Sequence, residues 1–583
     1  MTEPFRIRST TFNDGSSLEL PNVTVLVGPN NCGKSRALKD IVALSIEPKS
    51  SGLVVTQTAL GGPTDWAEVV QSLPDPPTSV GIGGYEFSTL VPNLSGTLGY
   101  VGFGDKIDTE TQVRKMLTGG ARPSGLSRFI PAAIAHLTTD TRLTVLGDTK
   151  TPKHSRKPRD LVQYFYKCGS GKEKAVSDII ERHFNKQLRL DFTDIQQLRM
   201  RYDADFSDVP ADPRDALETM SNRELLSDQG DGVRSFTGLV AAIEALNRPI
   251  YVIDEPEAFL HPPQAFQIGR LIGQRASARK QFIIATHSSD ILRGVISATQ
   301  DISVVRVNRS ADTNSFRQIA TETVKTVTAD PLLSSSRVLE GLFYSSAVVV
   351  ESDSDARFFG VALTQINNEL DTHFVAADNK QTVAKILKLY SEMGVKHLGI
   401  VDFDMLRIVA ELEDAMNTLE VSESSIASVK ESQKKIAEEA NKVTTEQRIE
   451  TFKEVLERIK TELESYDSSE NPNADTVLRF LQKRANEAAN VTKPWKELKE
   501  LGRAGLSESA ASEFDKIAAA LLPHGLCIYQ FGELESSLVE FGLNYTTNKK
   551  EWIVAALKLV SSLSVDLDKK FWSEMNRFSE SLK

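Results

Sequence analysis

The feature that most constrains the fold of this 583-residue chain is an octapeptide, GPNNCGKS, at residues 28–35. It follows an apolar run, Val23 to Val27, and precedes a segment with helical periodicity. Between a strand and a helix, such glycines let backbone amides face phosphate oxygens, the lysine binds the β and γ phosphates, and the serine offers a magnesium ligand. The sequence therefore predicts a nucleotide-binding α/β domain. The expected ATP-binding residues of this loop are Gly28, Pro29, Asn30, Asn31, Cys32, Gly33, Lys34 and Ser35.

Two later segments carry residues that would complete a nucleotide site. YVIDEP, at 251–256, is an apolar strand that ends in two carboxylates, and a buried strand end rarely holds unpaired charge. We expect Asp254 to hold the magnesium shell and Glu255 to orient or activate the attacking water. The alternative is an ordinary acidic helix start. His287 follows the strand in IIATHSSD and would bond a γ-phosphate, although a lone histidine is more often a satisfied loop residue.

A second group of carboxylates follows two further apolar runs. AVVVESDSD ends at Asp355, and GIVDFD ends at Asp404. Because neighbouring ends of parallel strands meet at one edge of a sheet, we expect Glu351, Asp402 and Asp404 to converge on a hard cation. One or two magnesium or manganese ions held there would activate water for phosphodiester cleavage. The alternative is that these carboxylates are solvated strand ends.

Length and composition limit the remaining possibilities. The chain is too long for one core, which predicts two to four domains, and 40% apolar residues are enough to bury them. A net charge of -11 argues against a surface uniformly adapted to nucleic acid, and the basic run at 153–159 is more typical of a solvated loop. There is no long uncharged apolar run, signal-peptide pattern or disulfide framework. We therefore expect a soluble, cytoplasmic protein without a membrane partner.

The alternation of apolar strands and helical segments predicts how the chain is divided. Strand-helix patterning at 249–286 resumes at residue 347, and Glu- and Lys-rich helical periodicity interrupts it after residue 407. The expected parts are the first half of the nucleotide-binding domain at 1–157, a helical insertion and candidate dimerisation segment at 158–222, the second half at 223–335, a second α/β core at 340–406, a helical or coiled-coil insertion at 407–520, and the end of the second domain at 521–583.

The order of the motifs resembles ABC-class ATPases. After the octapeptide come SDQGDGVRS at 227–235, IDEPEAFLHP at 253–262 and ATHS at 285–288. The wording EPEAFLHPPQ is similar to SMC-like ATPases, including those of the OLD (overcoming lysogenization defect) family. In such ATPases a helix start from one subunit caps the ATP that another subunit holds. The resemblance implies that Ser227, Gly230 and Gly232 form this cap, and that ATP binding requires a homodimer or a higher homo-oligomer.

The second group of carboxylates resembles a Toprim domain. By this resemblance Glu351 is the first-strand glutamate, Asp355 the following acid, and Asp402 with Asp404 the Asp-x-Asp pair. GELESSL, at 532–538, looks like the closing acidic segment and adds Glu535, and less surely Glu533, as metal ligands. Lys380 is a candidate phosphate contact. The family usually has glycine after the first glutamate. This chain has Ser352 there, which predicts a strained turn or altered metal affinity.

The expected fold class is thus α/β: an ABC-type P-loop ATPase domain with a helical insertion, followed by a Rossmann-like Toprim domain with its own helical insertion. The resemblance implies an ATP-regulated, metal-dependent DNA endonuclease of bacterial anti-phage defence. Its cofactors would be ATP and Mg²⁺ or Mn²⁺, and a regulatory protein or nucleic acid is a candidate partner. The alternatives are an ATP-gated DNA-binding scaffold with a degenerate Toprim site and a Toprim nuclease that acts on RNA or tRNA.

Overall fold

The computed structural model describes residues 3–64, 129–441 and 495–582, with gaps at 154–157, 159, 169, 311–312 and 547, and scattered positions in 68–99 and 449–482. Most of the basic run at 153–159 lies outside these residues, as does SSENPN at 468–473, whose sequence predicts the tip of a helical hairpin. The chain forms two compact units, residues 1–343 (unit 1) and 344–583 (unit 2). Among the described helices, none has the length and apolar character needed to cross a membrane.

Unit 1 contains sixteen of the strands that the structure describes and eleven of its α-helices. The strands are β1 Arg6–Phe12, β2 Ser17–Glu19, β3 Val23–Val27, β4 Val55–Gly61, β5 Thr78–Val80, β6 Gly84–Glu86, β7 Val91–Pro92, β8 Leu98–Gly99, β9 Ile134–Leu137, β10 Thr149–Lys150, β11 Gln187–Asp191, β12 Gln197–Asp203, β13 Ile250–Asp254, β14 Gln281–Ala285, β15 Ile302–Ser310 and β16 Thr313–Gln318. The helices are α1 Lys34–Ile46, α2 Ile130–Ala133, α3 Thr139–Thr144, α4 Leu161–Cys168, α5 Ser170–Phe184, α6 Pro213–Ser221, α7 Asp231–Ala245, α8 Pro262–Arg275, α9 Ser289–Ala298, α10 Thr321–Ala329 and α11 Ser336–Glu340.

A six-stranded sheet of order β16-β15-β3-β14-β13-β9 forms the centre of unit 1. All its neighbours pair in parallel except β15 and β16, which are antiparallel. Every residue of β3 and β14 is buried, as expected for strands covered on both faces. Because the strands are parallel, the ends of β3, β14, β13 and β9 meet at one edge. That edge carries the octapeptide, His287 and the two carboxylates after β13.

The expectation of a purely helical insertion at 158–222 is wrong. After α4 and α5 the chain forms an antiparallel hairpin of β11 and β12, and β12 also pairs with β10. Leu188 and Leu190 on β11, and Leu198, Met200 and Tyr202 on β12, are buried and alternate with polar residues. An alternation of two is the period of a strand. Arginine, glutamine and leucine favour helices, and their abundance here concealed this period.

Unit 2 is built on a four-stranded parallel sheet of order β18-β17-β19-β20. Its strands are β17 Ser346–Val350, β18 Thr372–Ala376, β19 Lys396–Val401 and β20 Leu526–Ile528. Its helices are α12 Asp353–Ile366, α13 Lys380–Met393, α14 Val409–Thr418, α15 Glu423–Ala440, α16 Lys496–Leu501, α17 Glu508–Leu521, α18 Lys549–Ser562 and α19 Lys570–Ser581. The last two pack on α12 through an aromatic cluster that includes Phe358, Trp552 and Phe571.

The described part of 407–520 is helical. Helices α14 to α17 lie between β19 and β20, and α15 packs against α17. Ile436 and Ala440, which are four residues apart and so lie on one face of α15, are buried in this packing, whereas Leu456 is exposed. The chain returns to the sheet at β20, which contains Cys527 and pairs in parallel with β19.

Candidate functional site

The octapeptide at 28–35 forms a tight loop between β3 and α1, and its glycines are required by the geometry. Gly28 has a φ of 142°, and a Cβ there would lie 2.1 Å from the carbonyl oxygen of Val307. Gly33 has a φ of 102° and immediately precedes α1. Residues with side chains are disfavoured at such angles. The loop therefore places α1 with its amino terminus at the carboxyl edge of the sheet.

Lys34 is folded into this loop. Its Nζ donates hydrogen bonds to the carbonyl oxygens of Gly28 at 2.7 Å and Pro29 at 2.8 Å. The residue is buried, and this burial lowers the pKa of its ammonium group. A bound phosphate would give the ammonium stronger, charged acceptors than these two carbonyls. The two loop carbonyls are thus the acceptors that a phosphate would replace.

Ser35 and Asp254 meet across the sheet edge. The hydroxyl Oγ of Ser35 donates to Oδ1 of Asp254 at 2.9 Å. Burial raises the pKa of Asp254, and the bond from Ser35 acts in the opposite direction. A hydroxyl and a carboxylate oxygen are ligands that Mg²⁺ accepts beside phosphate oxygens. These two predicted ligands are therefore brought together by the fold.

Glu255 and His287 face each other next to the lysine. Nε2 of His287 lies 3.6 Å from Oε1 of Glu255, whose side chain is 42% exposed. Burial and then the nearby Lys34 charge lower the pKa of His287. Glu255 has a φ of 47°, an uncommon conformation for a residue with a side chain. The structure thus gathers Lys34, Ser35, Asp254, Glu255 and His287 at one edge.

Two residues of this edge were missed at the sequence level. The carboxylate of Glu257 accepts bonds from Thr286 Oγ1 at 2.8 Å and from the backbone N–H of His287 at 2.5 Å, so it fixes the loop after β14. The sequence feature that could have indicated it is the second glutamate of the EPE segment at 255–257. Arg142, on α3, donates to the backbone of Asp254 and Glu255. Nothing in the local sequence around Arg142 indicates this contact, since the partners lie more than a hundred residues away.

The expected ATP cap lies at the start of α7. Ser227 is exposed in a short 3-10 turn, Leu226–Asp228, and Gly230 is exposed at the residue before α7. A Cβ on Gly232 would lie 2.8 Å from the carbonyl oxygen of Phe259. Gly232 therefore permits close packing between α7 and the segment after β13. Contact of these residues with a second subunit's ATP stays a prediction.

In unit 2, Glu351 and Asp402 follow adjacent parallel strands and are in contact. The backbone N–H of Asp402 donates to Oε1 of Glu351 at 3.1 Å. Burial, followed by the charges of Glu351 and Asp355, raises the pKa of Asp402 well above its usual range. Burial also raises the pKa of Glu351, and the charges of Asp404 and Asp355 add to that shift. Glu351 and Asp402 are therefore in contact at this edge, and their convergence with Asp404 on a cation stays a prediction.

Ser352 does not strain the turn after Glu351, which corrects one sequence-level expectation. Its φ is -136°, an extended conformation that any residue adopts, so glycine is not needed there. The hydroxyl of Ser352 accepts a bond from the backbone N–H of Asp355, and the carboxylate of Asp355 accepts one from the backbone N–H of Ser352 at 3.0 Å. This capping box starts α12. Asp355 is thus held by its own helix start.

Each carboxylate oxygen of Asp404 is close to a lysine ammonium group. Nζ of Lys380 lies 3.4 Å from Oδ1, and Nζ of Lys499 lies 3.4 Å from Oδ2. Lys380 also pairs with Glu411 at 2.7 Å, and Lys499 with Glu533 at 2.8 Å. Lys499 belongs to α16, in the helical segment between β19 and β20, and it was missed at the sequence level. That segment therefore supplies a group to the acidic edge.

The closing segment places Glu535 beside the same edge. Its carboxylate is 3% exposed, Oε1 lies 3.6 Å from Nζ of Lys549, and Oε2 is buried without a hydrogen-bond partner among the described residues. Burial raises the pKa of Glu535, and Lys549 opposes this shift. Glu533 accepts a bond from the hydroxyl of Tyr545 at 2.9 Å and is less available. Of the two acids, Glu535 has the free oxygen.

The side chains that the structure describes at this edge are chemically suited to a hard divalent cation, although they are not arranged around one. Such ions take carboxylate oxygens, and these side chains include buried acids that repel one another and the unpartnered oxygen of Glu535. Within the described residues, no three His, Cys, Asp or Glu side chains already stand in an arrangement that could hold a metal ion. Lysine ammonium groups instead contact Asp404 and Glu535. The residues that would hold the ion are Glu351, Asp355, Asp402, Asp404 and Glu535.

The fold and the loop geometry define unit 1 as a P-loop ATPase-type domain. A family model described as "AAA domain, putative AbiEii toxin, Type IV TA system" matches residues 152–293, which include β13 and β14. The chain is also similar to Old nuclease of Escherichia phage P2, with 25% identity over 178 residues, 28% of this chain and 30% of that protein. The predicted resemblance to OLD-type ATPases is thereby confirmed. The similarity spans less than a third of that relative's length.

Solved structures with partial similarity include ATPase heads. The SmcHead bound to the C-winged helix domain of ScpA aligns with 56% of this chain and 99% of its own, at 11% identity and a TM-score of 0.34. The SMC head domain from Thermotoga maritima aligns with 55% of this chain and 99% of its own, at 16% identity and a TM-score of 0.28. The ATP binding subunit of an ABC transporter aligns with 56% and 100%, at 10% identity and a TM-score of 0.24.

Proposed function

We propose that this protein is an ATP-regulated, divalent-metal-dependent DNA endonuclease of the OLD type, in which unit 2 is a Toprim domain. Unit 1 would bind ATP and Mg²⁺ through Lys34, Ser35 and Asp254, with Glu255 acting on the attacking water and His287 sensing the γ-phosphate. Unit 2 would hold Mg²⁺ or Mn²⁺. By family resemblance the activity serves defence against phage.

The observation that carries the nuclease proposal is the contact between Glu351 and Asp402. Two acids that follow adjacent buried strands are held together by a backbone N–H bond of 3.1 Å, although their charges repel each other. Such an arrangement destabilises a fold unless a cation or a proton compensates it. A hydrolytic site benefits from the same arrangement, because a bound divalent ion lowers the pKa of its water and stabilises the leaving oxygen.

Each residue of the acidic edge has a separate role in this proposal. Glu351, Asp402 and Asp404 would be the main ion ligands, and Glu535 would close the site with its free oxygen. Asp355, which is held in the capping box of α12, would be a further ligand of the ion. Lys380 would leave Asp404 to bind the phosphate of the substrate, since ammonium groups bind phosphate well.

Cleavage of plasmid and phage DNA with Mg²⁺ or Mn²⁺, with and without ATP, tests the proposal directly. We expect cleavage by the wild-type protein and its loss in the single variants Asp402→Ala and Asp404→Ala, with ATP hydrolysis retained. Glu369→Ala is the matched control, because Glu369 is an exposed acid of unit 2 that precedes β18, at the opposite edge of the sheet. Cleavage that survives in both aspartate variants would contradict the proposal.

A second candidate function is favoured by one observation. Lysines contact both oxygens of Asp404, which is also the arrangement expected of an edge that holds no metal. In that case the protein would be an ATP-gated DNA-binding scaffold with a degenerate Toprim site. It would bind DNA without cutting it under any metal. The same assay with RNA and tRNA as substrates separates a DNA nuclease from an RNA nuclease. An RNA nuclease would cut these substrates, which carry 2′-hydroxyl groups, and would leave DNA intact.

The proposed dimer has its own test. ATP should join two copies when hydrolysis is blocked, because the start of α7 from one copy would cap the ATP of the other. Sedimentation of Glu255→Gln with and without ATP measures this association. A protein that has the same mass in both conditions would contradict the ATP-dependent dimer and leave the nuclease proposal intact.

A further inference from the structure

Arg142 is a buried arginine at the nucleotide edge of unit 1. It lies on α3, the short helix that follows β9, and is 1% exposed. Its Nη1 donates to the carbonyl oxygen of Asp254 at 2.6 Å, and its Nη2 donates to that of Glu255 at 2.8 Å. One planar guanidinium therefore holds the backbone on both sides of the Asp254–Glu255 turn.

This turn has a backbone conformation that needs support. Glu255 has a φ of 47°, in the left-handed region that side-chain-bearing residues disfavour. The backbone N–H of Glu255 donates to the carbonyl oxygen of Ala285 at 2.8 Å, so the residue is held from the neighbouring strand end as well. Because its N–H is bound on one side and its carbonyl on the other, the backbone of Glu255 is fixed, and so is the direction in which its side chain leaves the backbone. That direction places its carboxylate next to His287.

Within the part of the chain that the structure describes, the guanidinium of Arg142 forms no ion pair. Burial lowers the pKa of Arg142 to about 10, and the charges of Glu257, Asp254 and Glu255 act in the opposite direction. The guanidinium is therefore protonated at neutral pH and keeps its donors. Because its acceptors at this turn are backbone carbonyls, its effect is to fix geometry, in surroundings where the nearby acids offset the cost of burying a cation.

The same side chain reaches α7, the helix whose start is the proposed ATP cap. Nε of Arg142 lies 3.4 Å from Oγ of Ser235, and Oγ of Ser235 donates to the carbonyl oxygen of Ala258 at 3.2 Å. A Cβ on Gly238 would lie 2.2 Å from the carbonyl oxygen of Arg142. Helices α3 and α7 are thus in direct backbone contact, and Arg142 connects α7 to the turn that carries Glu255.

We propose that Arg142 is a positioning residue for ATP hydrolysis. It holds Glu255 in the orientation that acts on water, and it ties this orientation to α7. The inference rests on the proposed hydrolysis of ATP by unit 1. Because Arg142 touches neither the octapeptide nor its lysine, its loss should affect the hydrolytic step far more than ATP binding.

The test compares kcat with ATP affinity in the full-length protein. Arg142→Lys keeps the charge and loses the planar pair of donors, and we expect kcat to fall about 10- to 100-fold while the Kd for ATP changes less than about 3-fold. In Arg142→Ala, guanidinium ion at a non-denaturing concentration should restore part of kcat. If Arg142 only stabilised the fold, kcat would not fall separately from ATP affinity, and guanidinium ion would not restore kcat.

The matched control is Arg248→Lys. Arg248 is equally buried at 1% exposure but lies before β13, at the end of that strand opposite to Asp254. We expect it to lower the unfolding temperature and leave kcat unchanged. Ser235→Ala supplies a second measurement if the Arg142 variants fail to fold, and we expect it to lower kcat about 3-fold through the lost link to α7.

The results separate this inference from the proposed function. A wild-type protein that does not hydrolyse ATP overturns both. With an active wild type, Arg142→Lys at the wild-type rate overturns the inference alone, as does a fall in kcat matched by an equal loss of ATP affinity. Where only Ser235→Ala folds, an unchanged kcat in that variant overturns the link to α7.

Discussion

The central sheets of the two units both have carboxylates at the carboxyl ends of their strands, but these carboxylates have different kinds of partner. In unit 1, Asp254 accepts a bond from Ser35, and Glu257 accepts bonds from Thr286 and the backbone of His287. In unit 2, Asp404 faces two lysine ammonium groups, and Asp402 is buried beside Glu351. The first edge uses neutral donors from neighbouring loops, and the second uses opposed charges.

This difference indicates how each edge would respond to its ligand. Neutral donors fixed on the backbone keep the first edge in one arrangement before ATP binds, and the main movement required is that of the Lys34 ammonium from its loop carbonyls. To take a metal ion, the second edge would have to loosen its lysine contacts, because the ammonium beside each oxygen of Asp404 competes with a divalent cation for that oxygen. The first edge is therefore pre-organised, and the second is expected to rearrange.

The largest expected effect tests the pre-organised edge. Glu255→Gln removes the carboxylate that would act on water while preserving size and hydrogen bonding. We expect ATP hydrolysis to fall about 100- to 1000-fold with ATP affinity nearly unchanged. Steady-state phosphate release and nucleotide titration measure the two quantities. Glu244→Gln, an acid of the same unit paired with Arg275, is the control. A fall of less than 10-fold would argue against Glu255 in this role.

The second prediction concerns the edge that should rearrange. A divalent ion that binds only the folded form should stabilise unit 2 by about 2.7 kcal/mol at a free concentration one hundred times its Kd. Asp402→Asn should abolish this stabilisation. It should also make the metal-free protein more stable, because burial and the nearby Glu351 penalise the ionised form of Asp402, a penalty that asparagine does not carry. Hydrogen exchange of β17 and β19 with Mn²⁺ and with a chelator measures both effects. Equal metal stabilisation in wild type and variant would contradict the proposed ligand.

The third prediction concerns the stability of unit 1 at acidic pH. His136 on β9 is largely buried, its Nε2 has no partner among the described residues, and burial lowers its pKa from 6.5 to about 4, with a further contribution from Lys39. The unfolded chain therefore takes up a proton more readily, and stability is lost as the pH falls from 6.5 towards 4. Between pH 7 and pH 5 the loss from this residue should be about 2 kcal/mol.

Exchange of the β9 and β13 amides at the two pH values measures that loss. His136→Gln carries no titrating group, so its stability should change less between pH 7 and pH 5 than that of the wild type. The absolute stability of the variant does not matter to the comparison. If both proteins lose the same amount, His136 is not the source of the acid sensitivity.

Local patterns were enough to predict the central strands of both edges and the acids at their ends, with the exception of Glu257. The apolar runs before Gly28, Glu255 and Glu351 became buried parallel strands, because a run bounded by turn residues has few other ways to bury its backbone. The hairpin of β11 and β12 was missed because its residue types favour helices although its alternation does not. Short-range periodicity therefore predicted the positions of the acids better than it predicted the intervening segments.

The partners of the acids could not be predicted in the same way. Arg142 lies 112 residues before Asp254, and Lys499 lies 95 residues after Asp404, so no spacing rule connects them. These contacts depend on which helices pack at the ends of the strands. The expected strain at Ser352 is wrong because a residue type alone does not determine the backbone angle at its position. The angle shows that the serine starts a helix.

The smallest expected effect tests whether Ser352 matters to the second edge at all. Its hydroxyl caps α12, and glycine at an N-cap is nearly as good as serine, whereas alanine is not. Ser352→Gly should therefore cost only a few tenths of a kcal/mol, and Ser352→Ala about 1 kcal/mol. Mn²⁺ affinity should be unchanged in Ser352→Gly, because the Asp355 carboxylate is held by the backbone N–H of residue 352, which any residue except proline supplies. Thermal unfolding and Mn²⁺ titration test this, and a several-fold change in affinity would show that the hydroxyl itself acts on the metal site.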